Sequence, residues 1–216
     1  MKGTGDSRHP GPEERKLMRY GTIIHISLIA LLISCLSACS PYHASVSKNL
    51  KIDAAFYPER KIPLRAGLYV PAEFKNERLF FKGHSVGVNV SLGEGMTVGA
   101  AETLKLVFEE IVILDETETN FSKRNIDVIV TPTMEKKGID WLGGSRIQCF
   151  LRVKWTVIDK NGNMVYVNSC DGEDQIKVRY MKDAEDFSAC MTSAAEKQYG
   201  AFSKLIVSTV WWNSMR

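Results

Sequence analysis

Gly83-His84-Ser85-Val86-Gly87 is where this chain comes nearest to a nucleophile motif. It fits GxSxG, in which the serine attacks from a strand-to-helix elbow and a histidine later in the chain takes its proton. Neither requirement is met, because Ser85 leads into the alternating Val86, Val88 and Val90 of an expected strand, and no histidine follows His84. Ser45-Val46-Ser47-Lys48 fits SxxK but lies in a segment with no sustained period. Gly93, Gly95 and Gly99 stand between a strand and a helix, where helix N-termini bind anions. Their spacing is neither GxGxxG nor that of a P-loop, and Glu94 would repel phosphate, so a turn is expected. Glu109, Glu110, Asp115, Glu116 and Glu118 lack the spacing of a calcium loop and read as a solvated rim. HExxH and CxxC are absent. The expectation is a protein that is not an enzyme and has no metal or catalytic cofactor.

A different chemistry is written near the start. Arg15, Lys16 and Arg19 precede an apolar stretch, Ile23 to Ile33, and small residues then lead to a cysteine in Leu36-Ser37-Ala38-Cys39. Positive charge, a short apolar run and a small-residue site are the parts of a secretory signal. A membrane-crossing helix needs roughly 20 apolar residues, more than this run supplies. The four residues resemble the lipobox of bacterial lipoproteins, which implies cleavage between Ala38 and Cys39. The Cys39 thiol would then carry diacylglycerol and its new amino group a further acyl chain. At about 0.8 kcal/mol per buried CH2, several chains anchor firmly where one would be marginal. Ser40, rather than Asp, follows the cysteine, which by the enteric sorting rule favours the outer membrane facing the periplasm. Met18-Arg19-Tyr20 is the expected true beginning.

The 178 residues after position 38 are enough for one domain with a real core and short for two. Residues 1–38 hold five Lys/Arg against three Asp/Glu, which leaves 23 against 22 beyond them. Near-neutral charge without a basic stripe speaks against a nucleic-acid partner. If Cys39 carries lipid, Cys149, Cys170 and Cys190 cannot all pair. One disulfide and three buried thiols both remain open.

The elements follow from periodicity. Residues 39–60 show no sustained period and read as the lipidated cysteine and an extended tether, whose apolar Phe56 and Tyr57 could dock; a single domain is expected over 61–216. Leu68 and Val70 mark a strand ending near Pro71, and Val86 to Val90 a second. Ala101, Leu104, Phe108 and Ile111 recur at helical steps from an N-cap at Thr97, running into the β-prone Ile111-Val112-Ile113-Leu114. Ile126, Val128 and Val130 alternate up to Pro132. Ile147 to Ile158 alternate over twelve residues, and Asn161-Gly162 turns the chain back through Met164 to Val167 as a hairpin. Asp183 to about Trp212 reads as a long C-terminal helix. The fold class is α+β, a largely antiparallel sheet covered on one face by two helices. The candidate interaction residues are Trp141 and Leu142, in an expected loop beside Gly143-Gly144, and Trp211 and Trp212 at the last helix end. A recognition tip and a loop folded under the sheet both fit the first pair.

Gly67-Leu68-Tyr69-Val70, Ala101 to Phe108 with Ile111-Val112, and Asp127-Val128-Ile129-Val130-Thr131-Pro132 complete a pattern. With Cys39 it resembles small periplasmic lipoproteins of the YajG and TolB-N-terminal-like group, and more distantly PelC and LptE. The resemblance implies a non-catalytic accessory or scaffold role in the cell envelope, with a membrane partner through the lipid and an envelope protein or a second copy as the other. A carrier of an apolar or envelope-derived ligand between sheet and helices is the alternative.

Overall fold

A computed structural model describes residues 41–82, 87–115, 125–178 and 184–215. The Leu36–Cys39 motif, His84, Ser85, Glu116 and Glu118 lie outside the described residues. The clearest expectation is realised in β7 (Arg146–Asp159), where Ile147, Cys149, Leu151, Val153, Trp155 and Val157 are all buried and the residues between them are half-buried. Strict alternation buries one face only, so one face needs a cover and the other needs none.

Antiparallel neighbours flank β7. β6 (Val128–Gly143) pairs on one side and β8 (Met164–Lys177) on the other. β2 (Ile62–Tyr69) runs parallel to β6 through Ala66 to Leu68, and β5 (Phe108–Leu114) runs parallel to β2, giving the order β5-β2-β6-β7-β8. A second sheet holds β1 (Tyr42–Ser45), β3 (Arg78–Lys82) and β4 (Gly87–Ser91), with β4 in the middle, parallel to β1 and antiparallel to β3. The helices are the short α1 (Ala72–Lys75), α2 (Gly93–Val107) and α3 (Ala184–Ser208), followed by a 3-10 turn at Val210–Met215. The molecule is therefore α+β as expected, but the single largely antiparallel sheet is corrected to two mixed sheets. Among the described residues no helix is long and apolar enough to cross a membrane.

α3 covers the buried face of β7. Phe202 stacks on Trp155 with ring centroids 3.9 Å apart, Tyr199 meets Trp155 edge-on at 5.9 Å, and Cys190 is bonded to Cys149. This resolves the cysteine question left open by sequence, with Cys170 a buried free thiol. Truncating Phe202 to Ala removes about 3–5 kcal/mol by the usual cost of an emptied aromatic site. Close approach is set by Gly172 in β8, where an added Cβ would lie 1.9 Å from the Ala194 carbonyl oxygen of α3. A smaller apolar cluster of Leu114, Ile126 and Ile129 sits apart from this main core.

Four expectations are corrected. The glycines at 93 to 95 are the first turn of α2, not a turn ahead of it. The helix begins after Leu92, and Thr97, expected as its N-cap, donates its hydroxyl to the Gly93 carbonyl from inside. Glycine suits that turn because an added Cβ at Gly93 would meet the Lys75 carbonyl oxygen at 1.9 Å. α2 also ends at Val107, so Phe108 and Ile111 belong to β5. β6 continues through Pro132 to Gly143: β2 pairs with β6 only as far as Val130, and a residue without an N–H is tolerated where one edge lacks a partner strand.

The stretch 41–60, expected as a loose tether, is built into the domain. Tyr42–Ser45 is a strand, and Ala44, Val46 and Ile52 are buried. Its outer edge is held by side chains four residues apart on α3: Ser45 N–H donates to Ser188 Oγ at 3.1 Å, Ser47 N–H to Thr192 Oγ1 at 3.0 Å and Lys51 N–H to Glu196 Oε1 at 2.6 Å. These bonds fasten the stretch along one side of α3.

Candidate functional site

The face of β6, β7 and β8 turned away from α3 carries a group of interacting polar side chains. β7 contributes Gln148, Phe150 and Arg152, each directly opposite a β8 residue: Gln175, Glu173 and Asp171. Arg152 grips Asp171 through two bonds, Nε to Oδ1 at 2.6 Å and a terminal nitrogen to Oδ2 at 2.8 Å. That fork holds the Asp171 carboxyl below its ordinary value and the guanidinium above its own. Gln148 donates its amide to Glu173 on the diagonal.

β6 adds a bulge between Met134 and Lys136, which turns Glu135 to accept from the Ser169 hydroxyl at 2.8 Å. On the opposite side of β6, in register with the buried Leu151, Lys137 pairs with Glu77 beside β3, and partial burial lowers the lysine's pKa. Phe150 lies over Gly138, where an added Cβ would be 2.2 Å from the ring. Two open grooves result. One of about 500 Å³ is lined by Glu77, Glu135, Lys136, Lys137 and Phe150, and one of about 380 Å³ by Lys136, Gln148, Phe150, Arg152 and Asp171. Charges of both signs alternate across a central aromatic, an arrangement suited to gripping another protein's polar surface.

The residues singled out in the sequence fall elsewhere. Trp141 lies on β6 opposite Ile147 and is half-buried against the core, with Leu142 exposed beside it at the hairpin end. The following turn needs Gly143 and Gly144, both at positive φ. Trp211 packs on Tyr166 with centroids 6.1 Å apart and Trp212 is half-buried against the same core. Tyr166 is opposite Val157, so along β7 the two tryptophan sites stand ten residue steps apart, roughly 30 Å. The structure therefore does not join Trp141, Leu142, Trp211 and Trp212 into one surface. The grooved face was missed because its polar residues read as the solvated half of an alternating strand; the signal present in the sequence was Phe150 standing on that half.

Lys48 of the SxxK match pairs with Glu94. Glu110 pairs with Arg65 at 3.4 Å. Among the described residues no three His, Cys, Asp or Glu side chains gather as a metal site requires. Cys170 is 3% exposed, and desolvation, then the Asp171 charge, pushes its thiol up to about 11, which disfavours the thiolate.

No family model matches the chain, and no curated protein matches it. Solved structures to which it is similar include a Xanthomonas campestris protein of family DUF330, at 7% identity and TM-score 0.49, over 80% of this chain and 97% of that one. A minor lipoprotein of Acinetobacter baumannii is similar at 9% identity and TM-score 0.40, over 72% and 96%. The PelC dodecamer of Paraburkholderia phytofirmans is similar at 13% identity and TM-score 0.36, over 65% and 92%. Likenesses this distant do not bear on what this chain does.

Proposed function

We propose that this chain is a lipid-anchored protein of the cell envelope, acylated at Cys39, that serves as a non-catalytic accessory or scaffold subunit of an envelope assembly. The observation that carries the reading is Leu36-Ser37-Ala38-Cys39 at the end of a short apolar run. The Cys149–Cys190 bond supports it, since disulfides persist in oxidising compartments such as the bacterial periplasm. Trp155, Tyr199 and Phe202 fill the space between β7 and α3, while the groove lined by Lys136, Gln148, Phe150, Arg152 and Asp171 opens on the other face of the sheet. Docking of a partner on that face suits this better than an apolar cargo in the core. The signal occupies 1–38, the folded part starts within a few residues of the anchor, and Ser40 favours the outer membrane.

The test is crosslinking of the tagged full-length chain in intact cells fed a labelled palmitate analogue, against Cys39→Ala. Label on the wild type alone, with a defined set of envelope proteins recovered by mass spectrometry and depleted by Phe150→Ala, is the expected result. Equal label on both chains defeats the anchor, and recovery of no envelope partner defeats the accessory role.

A further inference from the structure

Two residues, Ser40 and Pro41, separate Cys39 from the first strand of the three-stranded sheet. Its faces differ sharply. In register, Val88 and Val90 of β4 face inward with Phe81, Leu79 and Ala44, and both valines are buried. The opposite face carries Arg78, Phe80 and Lys82 from β3, all exposed. Phe80 is 60% exposed, a large apolar ring left in water on an outward strand face. The β4 and β1 residues in register with these three are glycine, serine, asparagine and histidine, so no carboxylate lies in those rows. Among the described residues neither Arg78 nor Lys82 pairs with an acid. An added Cβ at Gly87 would lie 2.9 Å from the Phe80 ring and 3.7 Å from Pro41, which places the ring beside the chain's entry point.

Three residue steps join Cys39 to Tyr42, a reach of about 10 Å. Acyl chains on Cys39 would hold this edge at the bilayer surface. An aromatic ring flanked by two cations is the composition of a membrane-interface contact, the ring at headgroup level and the cations on anionic lipid. We infer that the outer face of this sheet, Arg78, Phe80 and Lys82, is a second membrane contact that lays the domain on the bilayer that anchors it. The inference rests on acylation at Cys39. It fixes which way the grooved face of the other sheet is presented.

The experiment uses the full-length lipidated protein in vesicles of phosphatidylethanolamine and phosphatidylglycerol, with acylation verified by mass spectrometry. An environment-sensitive fluorophore is placed through Phe80→Cys, or through Asn161→Cys in the β7–β8 turn as reference, and quenched with headgroup-level spin-labelled lipid. In the acylated chain Cys35 has left with the signal and the Cys39 thiol carries lipid, while Cys149 and Cys190 are bonded and Cys170 is buried, so the new thiol takes the label. Quenching several-fold stronger at position 80 than at 161, falling to the reference level when Arg78→Glu and Lys82→Glu are added, is expected. Equal quenching at both positions in an acylated chain overturns the inference and leaves the anchor standing. A chain that carries no acyl group overturns both. Should Phe80→Cys not fold, the label at Lys82→Cys reads the same face.

Discussion

Gln198 sits in the face of α3 pressed against Gly172, fully buried, and among the described residues neither its amide nitrogen nor its amide oxygen has a hydrogen-bond partner. Leaving a buried polar group unmet costs about 1–3 kcal/mol, while an apolar side chain of similar shape removes that cost. Gln198→Met is therefore expected to raise stability by about 1 kcal/mol, read as a higher urea midpoint at unchanged slope. A lower midpoint would mean that the amide is satisfied in solution. Its neighbours show the contrast: the buried Tyr199 hydroxyl donates to the Met96 carbonyl, and the buried Thr103 hydroxyl to that of Gly99. Nothing in the sequence around Gln198 distinguishes it from a surface glutamine, because whether a polar group is met depends on which element lands on it.

The elements that sequence makes plain are those whose neighbours enforce their period. β7 lies between two antiparallel partners under α3, so its alternation is complete from Ile147 to Val157. α2 is harder to read because three glycines open it, and glycine spends helix propensity there for contact. An added Cβ at Gly99 would lie 2.3 Å from Leu50 and 2.5 Å from Tyr199. The second sheet was hidden for another reason: β1 has four residues and lies parallel to β4, more than forty positions away, with no turn signal between them. At this scale Gly172→Ala is the decisive substitution. Its Cβ would overlap the α3 backbone, which cannot rotate aside as a side chain would, so a loss of about 3 kcal/mol or more is expected. Thermal unfolding checks it, and an unchanged melting temperature would show that α3 does not close on β8 as described.

Across the whole molecule one bond ties the last helix to the central strand. The Cys149–Cys190 link closes a loop 41 residues long, for which the chain-entropy estimate is roughly 4 kcal/mol. Cys149→Ala with Cys190→Ala should lower the stability of the purified protein by about 2–5 kcal/mol, and reductant should lower the wild type equally while leaving the double variant unmoved. A wild type indifferent to reductant would mean the two thiols are free. Sequence supplied the two cysteines on buried faces but not their pairing, since only the register of α3 against β7 makes them neighbours.

The contacts from Ser45, Ser47 and Lys51 to α3 span 143 to 145 residues of chain. A polypeptide that emerges with its amino end first must hold that end open until nearly all the rest has followed. Closure of so long a loop belongs late in folding and makes it slow. In the envelope role proposed above, the same wiring would keep a growing precursor from shutting into a compact body too early, and an unshut thread is what a translocation channel can pass.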